Sequence, residues 1–128
     1  MLPQLYLSLI YHDMIECRDM ALPVPALQIL ITLADGDRHG YAIMQDVADR
    51  TDGAVRLGPG TLYGTIKRML HDGLIQELDE RPDPAEDDAR RRYYRITLRG
   101  RKVATAEIGR LAKLVRQARA TGLVVKTG

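Results

Sequence analysis

The feature that most constrains the fold of this chain is a change of hydrophobic period near its middle. Before Gly73 the apolar residues recur at steps of three and four, as on amphipathic helices. After Gly73 they alternate with polar residues, as on half-buried strands. Phe and Trp are absent, so the core must be built mainly from aliphatic residues, which favours helices over a β-sandwich. The sequence therefore predicts a mainly α protein with a small β-hairpin.

Three short helices are predicted before the change of period. The first begins at Ala26, the second runs from Tyr41 to Arg50, and the third lies within GPGTLYGTIKRMLHDGLI, residues 58–75. The glycines and the proline that precede this third helix predict a sharp start, and Gly73 predicts a left-handed stop. The inward-facing residues are expected to be Leu27, Leu30, Ile31 and Ala34 in the first helix, Tyr41, Met44, Val47 and Ala48 in the second, and Leu62, Ile66, Met69 and Leu70 in the third.

A hairpin and one long helix are predicted after Gly73. The residues expected on the inner side of the two strands are Leu74, Gln76 and Leu78, then Tyr94, Ile96 and Leu98. Thr97 is placed to cap the last helix, which carries a narrow apolar seam. The seam residues are Ala104, Ile108, Leu111, Leu114, Val115 and Ala118. This pattern favours a dimerisation helix, and the alternative is that the seam packs on its own domain.

Three helices followed by a hairpin is the order of a winged helix-turn-helix. In that fold the third helix enters the major groove of DNA, and its free N–H groups can hold a phosphate. The residues predicted to contact DNA are His39, Gly60, Thr61, Tyr63, Gly64, Thr65, Lys67, Arg68, Arg90, Arg91 and Arg92. His39 is interpreted first as a cap of the second helix and second as a phosphate contact. Gly64 is expected on the outer face of the third helix.

The alternative to DNA binding is that the third helix is an ordinary solvent-exposed helix, which would carry similar residue types.

Three blocks of the sequence, DGDRHGYAIMQDV, LGPGTLYGTIKRMLHDGLI and RRRYYRITLRGR, resemble in order and spacing the signature blocks of the PadR family of bacterial transcriptional regulators. The resemblance covers residues 25–120. It implies a dimeric repressor with a winged-helix head, a C-terminal dimerisation helix and double-stranded promoter DNA as partner. By position it places Thr61, Tyr63 and Lys67 on the DNA-facing helix, Arg91 and Arg92 at the base of the wing, and Tyr41 and Tyr94 in the core.

The loop of the wing departs from a typical DNA-binding pattern. Residues 79–90, DERPDPAEDDAR, contain two prolines, and the acidic residues in and around this loop are Asp79, Glu80, Asp83, Glu86, Asp87 and Asp88. Because like charges repel, these side chains would weaken an approach to phosphates. The tip is therefore predicted to bend away or to be disordered, leaving the three arginines from Arg90 to Arg92 to contact the DNA backbone.

Length and composition bound the remaining possibilities. A chain of 128 residues, 45% hydrophobic and 28% charged, is enough for one compact water-soluble domain. The predicted organisation is a helical arm at residues 1–22, a winged helix-turn-helix at 23–98 and a dimerisation helix with its tail at 99–128. Cys17 is the single cysteine, and neither an export signal nor a membrane span is predicted. These features predict a cytoplasmic location. The net charge of +2 is by itself only weak evidence for a nucleic-acid partner.

The sequence gives little support for an enzymatic or metal-binding function. His12 and Glu16 are spaced to share a metal ion on one helix face, yet no third ligand accompanies them. Neither an enzymatic function nor a cofactor or metal is therefore predicted. The main competitor is a winged helix that binds another protein. A small-molecule effector is possible by resemblance, and its binding would have to depend on Tyr6, Tyr11 or methionines.

Overall fold

The described residues in the computed structural model of the protein are 21–78 and 92–123. They form four helices and three strands, in the order α1 Val24–Ala34, β1 Arg38–His39, α2 Gly40–Arg50, α3 Pro59–His71, β2 Ile75–Glu77, β3 Tyr93–Ile96 and α4 Leu98–Ala120. The chain divides into two compact units, of which one is Leu22–Arg101 and the other includes α4 from Lys102 onward. The predictions made for residues 1–20 and 79–91 lie outside the described residues.

Helix α1 is the centre of the first unit because it packs against α2, α3 and β3. Its buried residues are Ala26, Ile29, Leu30, Thr32 and Leu33. Among the residues predicted to face inward, Leu30 is buried, Leu27 and Ile31 are half-buried, and the prediction is wrong at Ala34. Ala34 is exposed, whereas Ile29 and Leu33 are almost completely buried. Because α1 has neighbours on three sides, its buried face is wider than a single helical stripe. The centre of this face lies nearer to Ile29 and Leu33 than to the predicted stripe.

Helix α2 packs against α1 and α3. It begins at Gly40 and buries Gly40, Ile43 and Val47, which are spaced by three and four residues. The prediction that Tyr41 lies in the core is wrong, because 55% of this residue is exposed. Successive residues are about 100° apart around a helix, so turning Gly40 toward the core turns Tyr41 toward solvent. Of the other predicted residues, Val47 is buried and Met44 and Ala48 are half-buried.

Helix α3 has the predicted buried face. Leu62, Ile66 and Met69 are buried, and Leu70 is half-buried. The helix begins after Gly58 with Pro59 in its first turn, where a missing N–H costs no hydrogen bond. The helix ends at His71 and is followed by the predicted stop at Gly73, whose φ of 74° is in the left-handed region that favours glycine. The following N–H, that of Leu74, donates to the carbonyl of Met69 at 2.9 Å and closes the last turn.

The sheet has three antiparallel strands in the order β1-β3-β2. Strand β1 was not predicted, because it contains two residues within a glycine-flanked turn and has no alternating pattern to detect. Its existence depends on pairing, with Arg38 opposite Tyr94 and His39 opposite Tyr93. The sheet therefore joins the start of α2 to the strands of the hairpin.

The inner side of the hairpin differs in part from the prediction. Tyr94 and Ile96 are buried as expected. Leu74 and its neighbour Ile75 are both buried, and Gln76 is exposed, so the alternation expected from Leu74 is wrong. Leu98 is also wrong as a core residue, because it is 71% exposed and begins α4. The alternation of buried and exposed residues holds only within a strand, so it no longer applies to Leu98, where the chain has left β3.

Thr97 joins the end of α3 to the start of α4. Its Oγ1 accepts a hydrogen bond from the Gly100 N–H at 3.0 Å and donates to the Gly73 carbonyl at 2.6 Å. The Thr97 N–H also donates to the carbonyl of Leu74 at 3.1 Å. The predicted helix cap is confirmed, and the same hydroxyl ties two segments that are distant in sequence.

Replacing Thr97 by alanine is expected to lower the free energy of unfolding by about 1–2 kcal/mol, because it removes the cap of α4. Urea unfolding followed by circular dichroism measures this change. Thr97→Ser is the matched control, since it keeps the hydroxyl and is expected to remain within about 0.5 kcal/mol of wild type. Equal stabilities of the alanine variant and the wild type would show that the cap contributes nothing.

Candidate nucleic-acid interface

The outer face of α3 is formed by small, hydroxylated and cationic residues. The exposed residues of this helix after Pro59 are Gly60, Thr61, Tyr63, Gly64, Lys67, Arg68 and His71. They recur at steps of three and four and lie opposite the buried face. Thr65 is half-buried at the edge between the two faces. All the residues of α3 that were predicted to contact DNA are therefore exposed, except Thr65, which is half-buried.

The backbone of α3 is unobstructed on this face. Among residues 21–78 and 92–123, no neighbouring atom lies within 4 Å of a Cβ added at Gly60 or Gly64, and the same is true at Gly58 before the helix. The expectation that Gly64 lies on the outer face is confirmed by its exposure. Because no side chain covers the helix at these positions, a flat or convex partner can approach the backbone closely.

Lys67 and Arg68 differ in their surroundings from most arginines of the same unit. Within residues 21–78 and 92–123, neither forms an ion pair or a side-chain hydrogen bond. By contrast, Arg38 pairs with Asp46 at 3.0 Å, Arg50 with Asp35 at 2.9 Å and Arg95 with Asp37 at 2.8 Å. The Asp37 hydrogen bond raises the pKa of Arg95 above its usual value. The cations on α3 therefore keep their charge available for an external anion.

His39 lies at the start of α2 and caps it. Its Nδ1 accepts a hydrogen bond from the Ala42 N–H at 3.2 Å. The ring also meets the edge of Tyr93, with centroids 5.3 Å apart and an interplanar angle of 86°. The capping interpretation is therefore confirmed, and these two contacts orient the ring beside the sheet.

Tyr94 is a buried residue of β3. Burial raises the pKa of the Tyr94 phenol, and the electrostatic effects of Glu77 and Tyr63 raise it further, while Arg92 opposes them. The expectation that Tyr94 occupies the core is confirmed.

The base of the wing is described up to Leu78 on one strand and from Arg92 on the other. Arg92 precedes β3, is exposed, and forms an ion pair with Glu77 at 3.2 Å. This pair spans the two strands of the hairpin and holds the guanidinium near the sheet. Arg90, Arg91 and the acidic loop lie outside the described residues, so their predicted roles stay predictions.

Helix α4 carries the predicted seam with unequal exposure. Ala104 is buried, Leu111, Val115 and Ala118 are half-buried, and Ile108 and Leu114 are 46% and 53% exposed. Glu107, which is buried on the same helix, accepts a hydrogen bond from Nε of Arg110 at 2.7 Å. Apolar side chains thus remain at the surface over about two turns of α4.

Sequence reasoning missed Tyr41 as a surface residue of α2. Its hydroxyl accepts a hydrogen bond from Nε2 of Gln45 at 3.2 Å, one helical turn further on. The phenolic proton is left free to donate elsewhere. The available signal was the small size of Gly40, which marks the packed side of α2 and therefore the direction in which Tyr41 points.

Neither a metal cluster nor a membrane span was found in the described part of the chain. No group of three or more His, Cys, Asp or Glu side chains is arranged there to hold a metal ion. None of its helices combines the length and the apolar character needed to cross a bilayer. The His12–Glu16 pair lies outside these residues.

Three helices, a three-stranded sheet and the exposed cationic face of α3 define a winged helix-turn-helix protein. The sequence profile of the transcriptional regulator PadR-like family matches residues 29–106. The chain belongs to this family, and the fold predicted from the sequence is confirmed. Because the family is one of transcriptional regulators, the prediction that the chain is not an enzyme also holds.

Individual relatives agree with this assignment. A protein of Mycobacterium tuberculosis named as a transcriptional regulator is 35% identical over 91 residues, which cover 71% of this chain and 78% of that protein. An uncharacterised 37.1 kDa protein in a transposon of Streptomyces fradiae is 36% identical over 86 residues, and the match spans 67% of this chain but only 22% of that longer protein. The crystal structure of a PadR family transcription regulator from Clostridium difficile has a similar fold, with a TM-score of 0.66, 23% identity, and coverage of 77% of this chain and 98% of that one.

Proposed function

We propose that this protein is a sequence-specific DNA-binding regulator that inserts α3 into the major groove. The observation that carries the proposal is the outer face of α3, where Lys67 and Arg68 are exposed and have no partner among residues 21–78 and 92–123. Cations that are already neutralised by carboxylates would release few counterions from DNA, whereas unpaired ones replace condensed counterions at the phosphates. The bare backbone at Gly60 and Gly64 supports close approach to the groove.

The proposed contacts fall into two groups. Thr61, Lys67 and Arg68 act at phosphates or base edges from α3, and Tyr63, Gly64 and Thr65 lie beside them. At the margins, His39 orients the start of α2, and the arginines from Arg90 to Arg92 contact the DNA backbone at the base of the wing. Tyr41 joins this surface as an additional hydroxyl donor.

The proposed working form is a homodimer that represses transcription in the cytoplasm. Two copies joined through the seam of α4 would present two α3 helices to successive major grooves, which suits an operator with two-fold symmetry. Repression, and its release by a small molecule or another signal, are the modes of action that the family resemblance implies. The double-stranded promoter DNA and the effector are to be identified by experiment.

Replacing both Lys67 and Arg68 by alanine is expected to weaken DNA binding at least about tenfold at moderate salt. If each removed cation contacts one phosphate, the slope of log affinity against log salt falls by about one per contact. Fluorescence anisotropy with a labelled random-sequence duplex, repeated at several salt concentrations, measures both quantities. The charge-matched control Lys113→Ala/Arg116→Ala, on the exposed side of α4, is expected to change neither by more than about twofold.

Equal losses in the α3 variant and in the α4 control would contradict the assignment of α3 as the DNA-facing helix. A wild-type protein with no salt-sensitive affinity for any duplex would contradict the DNA-binding function itself. That second result would leave a winged helix that binds another protein as the remaining candidate. Selection of bound fragments from random duplex DNA tests the dimer as well, because two symmetric half-sites are expected.

A further inference from the structure

Gly40 occupies the first turn of α2 without a conformational reason for being glycine. The glycines of the described residues that have positive φ are Gly36, Gly53, Gly73 and Gly122, and Gly40 is not among them. A helical glycine is less favourable than alanine by up to about 1 kcal/mol. The absence of a side chain at this buried position must therefore be explained by space.

The space beside Gly40 is filled by the ring of Tyr63 from α3. A Cβ built on Gly40 would lie 2.8 Å from the Tyr63 hydroxyl oxygen, 3.0 Å from Cε1 and 3.1 Å from Cζ. Ordinary contacts between such atoms are about 3.5–4.0 Å. The ring thus lies directly against the backbone of α2, and only glycine permits this approach.

Tyr63 nevertheless belongs to the outer face of α3. It is 51% exposed, although the hydroxyl end of its ring lies against Gly40. Lys67 follows one turn later on the same face, and Gly64 leaves the neighbouring backbone bare.

We propose that Gly40 is a positioning residue for DNA binding: because it has no side chain, α2 can hold the Tyr63 ring in a fixed position on the DNA-facing side of α3. The inference rests on the proposed function and adds to it a specific contact and the reason for its geometry. A ring that is already held before binding has less rotational freedom to lose when the complex forms. Tyr63 is accordingly a pre-oriented contact, unlike the long side chains of Lys67 and Arg68.

The experiment is a double-mutant cycle with Gly40→Ala and Tyr63→Ala, with affinity measured on the duplex that the wild type binds. A hydrogen bond to a charged phosphate supports a loss of about tenfold for Tyr63→Ala. Gly40→Ala is expected to weaken binding about fivefold, because its methyl group displaces the ring. In the Tyr63→Ala background, Gly40→Ala is expected to cause no further loss, because no ring remains to be displaced.

Two additional measurements separate positioning from general damage. Thermal unfolding of Gly40→Ala is expected to stay close to wild type, because the displaced atoms are the end of a side chain that can rotate outward. Gly109→Ala is the matched control, since this exposed helical glycine has no neighbouring atom within 4 Å of an added Cβ. It is expected to leave the affinity unchanged.

The inference would be overturned if Gly40→Ala bound DNA with wild-type affinity. It would also be overturned if Gly40→Ala caused the same loss of affinity in the wild type and in the Tyr63→Ala variant. In both cases the proposed function would stand. Loss of affinity together with a large fall in melting temperature would also overturn it, because Gly40 would then act through stability. If the wild type itself shows no salt-sensitive DNA binding, the proposed function fails and this inference fails with it.

Discussion

Replacing Gly100 by alanine is expected to destabilise the protein by about 3 kcal/mol, at the upper end of what overpacking of a core costs. Gly100 is buried in the first turn of α4. An added Cβ would lie 2.1 Å from the carbonyl oxygen of Leu74 and 3.0 Å from Cγ1 of Ile96. The first of these is a backbone atom, so no rotation of a side chain can relieve the clash.

The surrounding hydrogen bonds prevent the two segments from separating without further loss. The Leu74 carbonyl accepts from the Thr97 N–H at 3.1 Å, and the Thr97 hydroxyl donates to the adjacent Gly73 carbonyl at 2.6 Å. Moving α4 outward to make room for a methyl group would stretch both bonds. The expected cost therefore combines steric overlap with weakened hydrogen bonds.

Urea unfolding followed by circular dichroism measures this effect for the Gly100→Ala variant. Gly109→Ala, in the same helix but with open space around its added methyl group, is expected to be neutral or up to about 1 kcal/mol more stable. A Gly100→Ala variant within about 0.5 kcal/mol of wild type would show that the approach of α4 to Leu74 is not as close as described.

Replacing both Leu111 and Val115 by glutamate is expected to convert the proposed dimer into monomers. The two residues are one turn apart and half-buried on the seam of α4. Two carboxylates brought against their symmetry-related copies would have to be desolvated and would repel each other. A monomer contacts one half-site only, so DNA affinity is expected to fall on the order of 100-fold through the lost avidity.

Light scattering coupled to size-exclusion chromatography measures the mass, and anisotropy measures the affinity. The control is Lys113→Glu/Gln117→Glu, which places two glutamates at the same spacing on the exposed side of α4. This control is expected to keep the mass of the wild type. A dimeric mass for the Leu111/Val115 variant would exclude the seam as the interface, and a wild-type monomer would exclude the dimer.

Some features of the structure follow from local sequence because they depend on short-range chemistry. The buried face of α3 was predicted correctly, since Leu62, Ile66 and Met69 have a clear helical period and the opposite face is polar. The stop at Gly73 and the cap by Thr97 were also correct, because each depends on the conformational or hydrogen-bonding preference of one residue type.

Other features depend on neighbours that are distant in sequence. The buried face of α1 is predicted only in part, because α1 is apolar on most sides and its contacts with three elements decide which side is covered. The helical pattern of α2 and the family resemblance both predict Tyr41 in the core, although the packing of Gly40 turns it outward. Strand β1 exists because β3 lies beside it, and its two residues carry no strand pattern of their own.

The amino-acid sequence is sufficient to predict the class of fold and the candidate DNA-facing helix, because hydrophobic period, glycine stops and hydroxyl caps act within a few residues. The folded structure is needed to show that the Tyr63 ring lies against Gly40, that an added Cβ at Gly100 would meet the Leu74 carbonyl, and that Lys67 and Arg68 differ from the paired arginines of the same unit. These relations join segments far apart in the chain, and the distances between such segments are set by packing of the whole core rather than by local pattern.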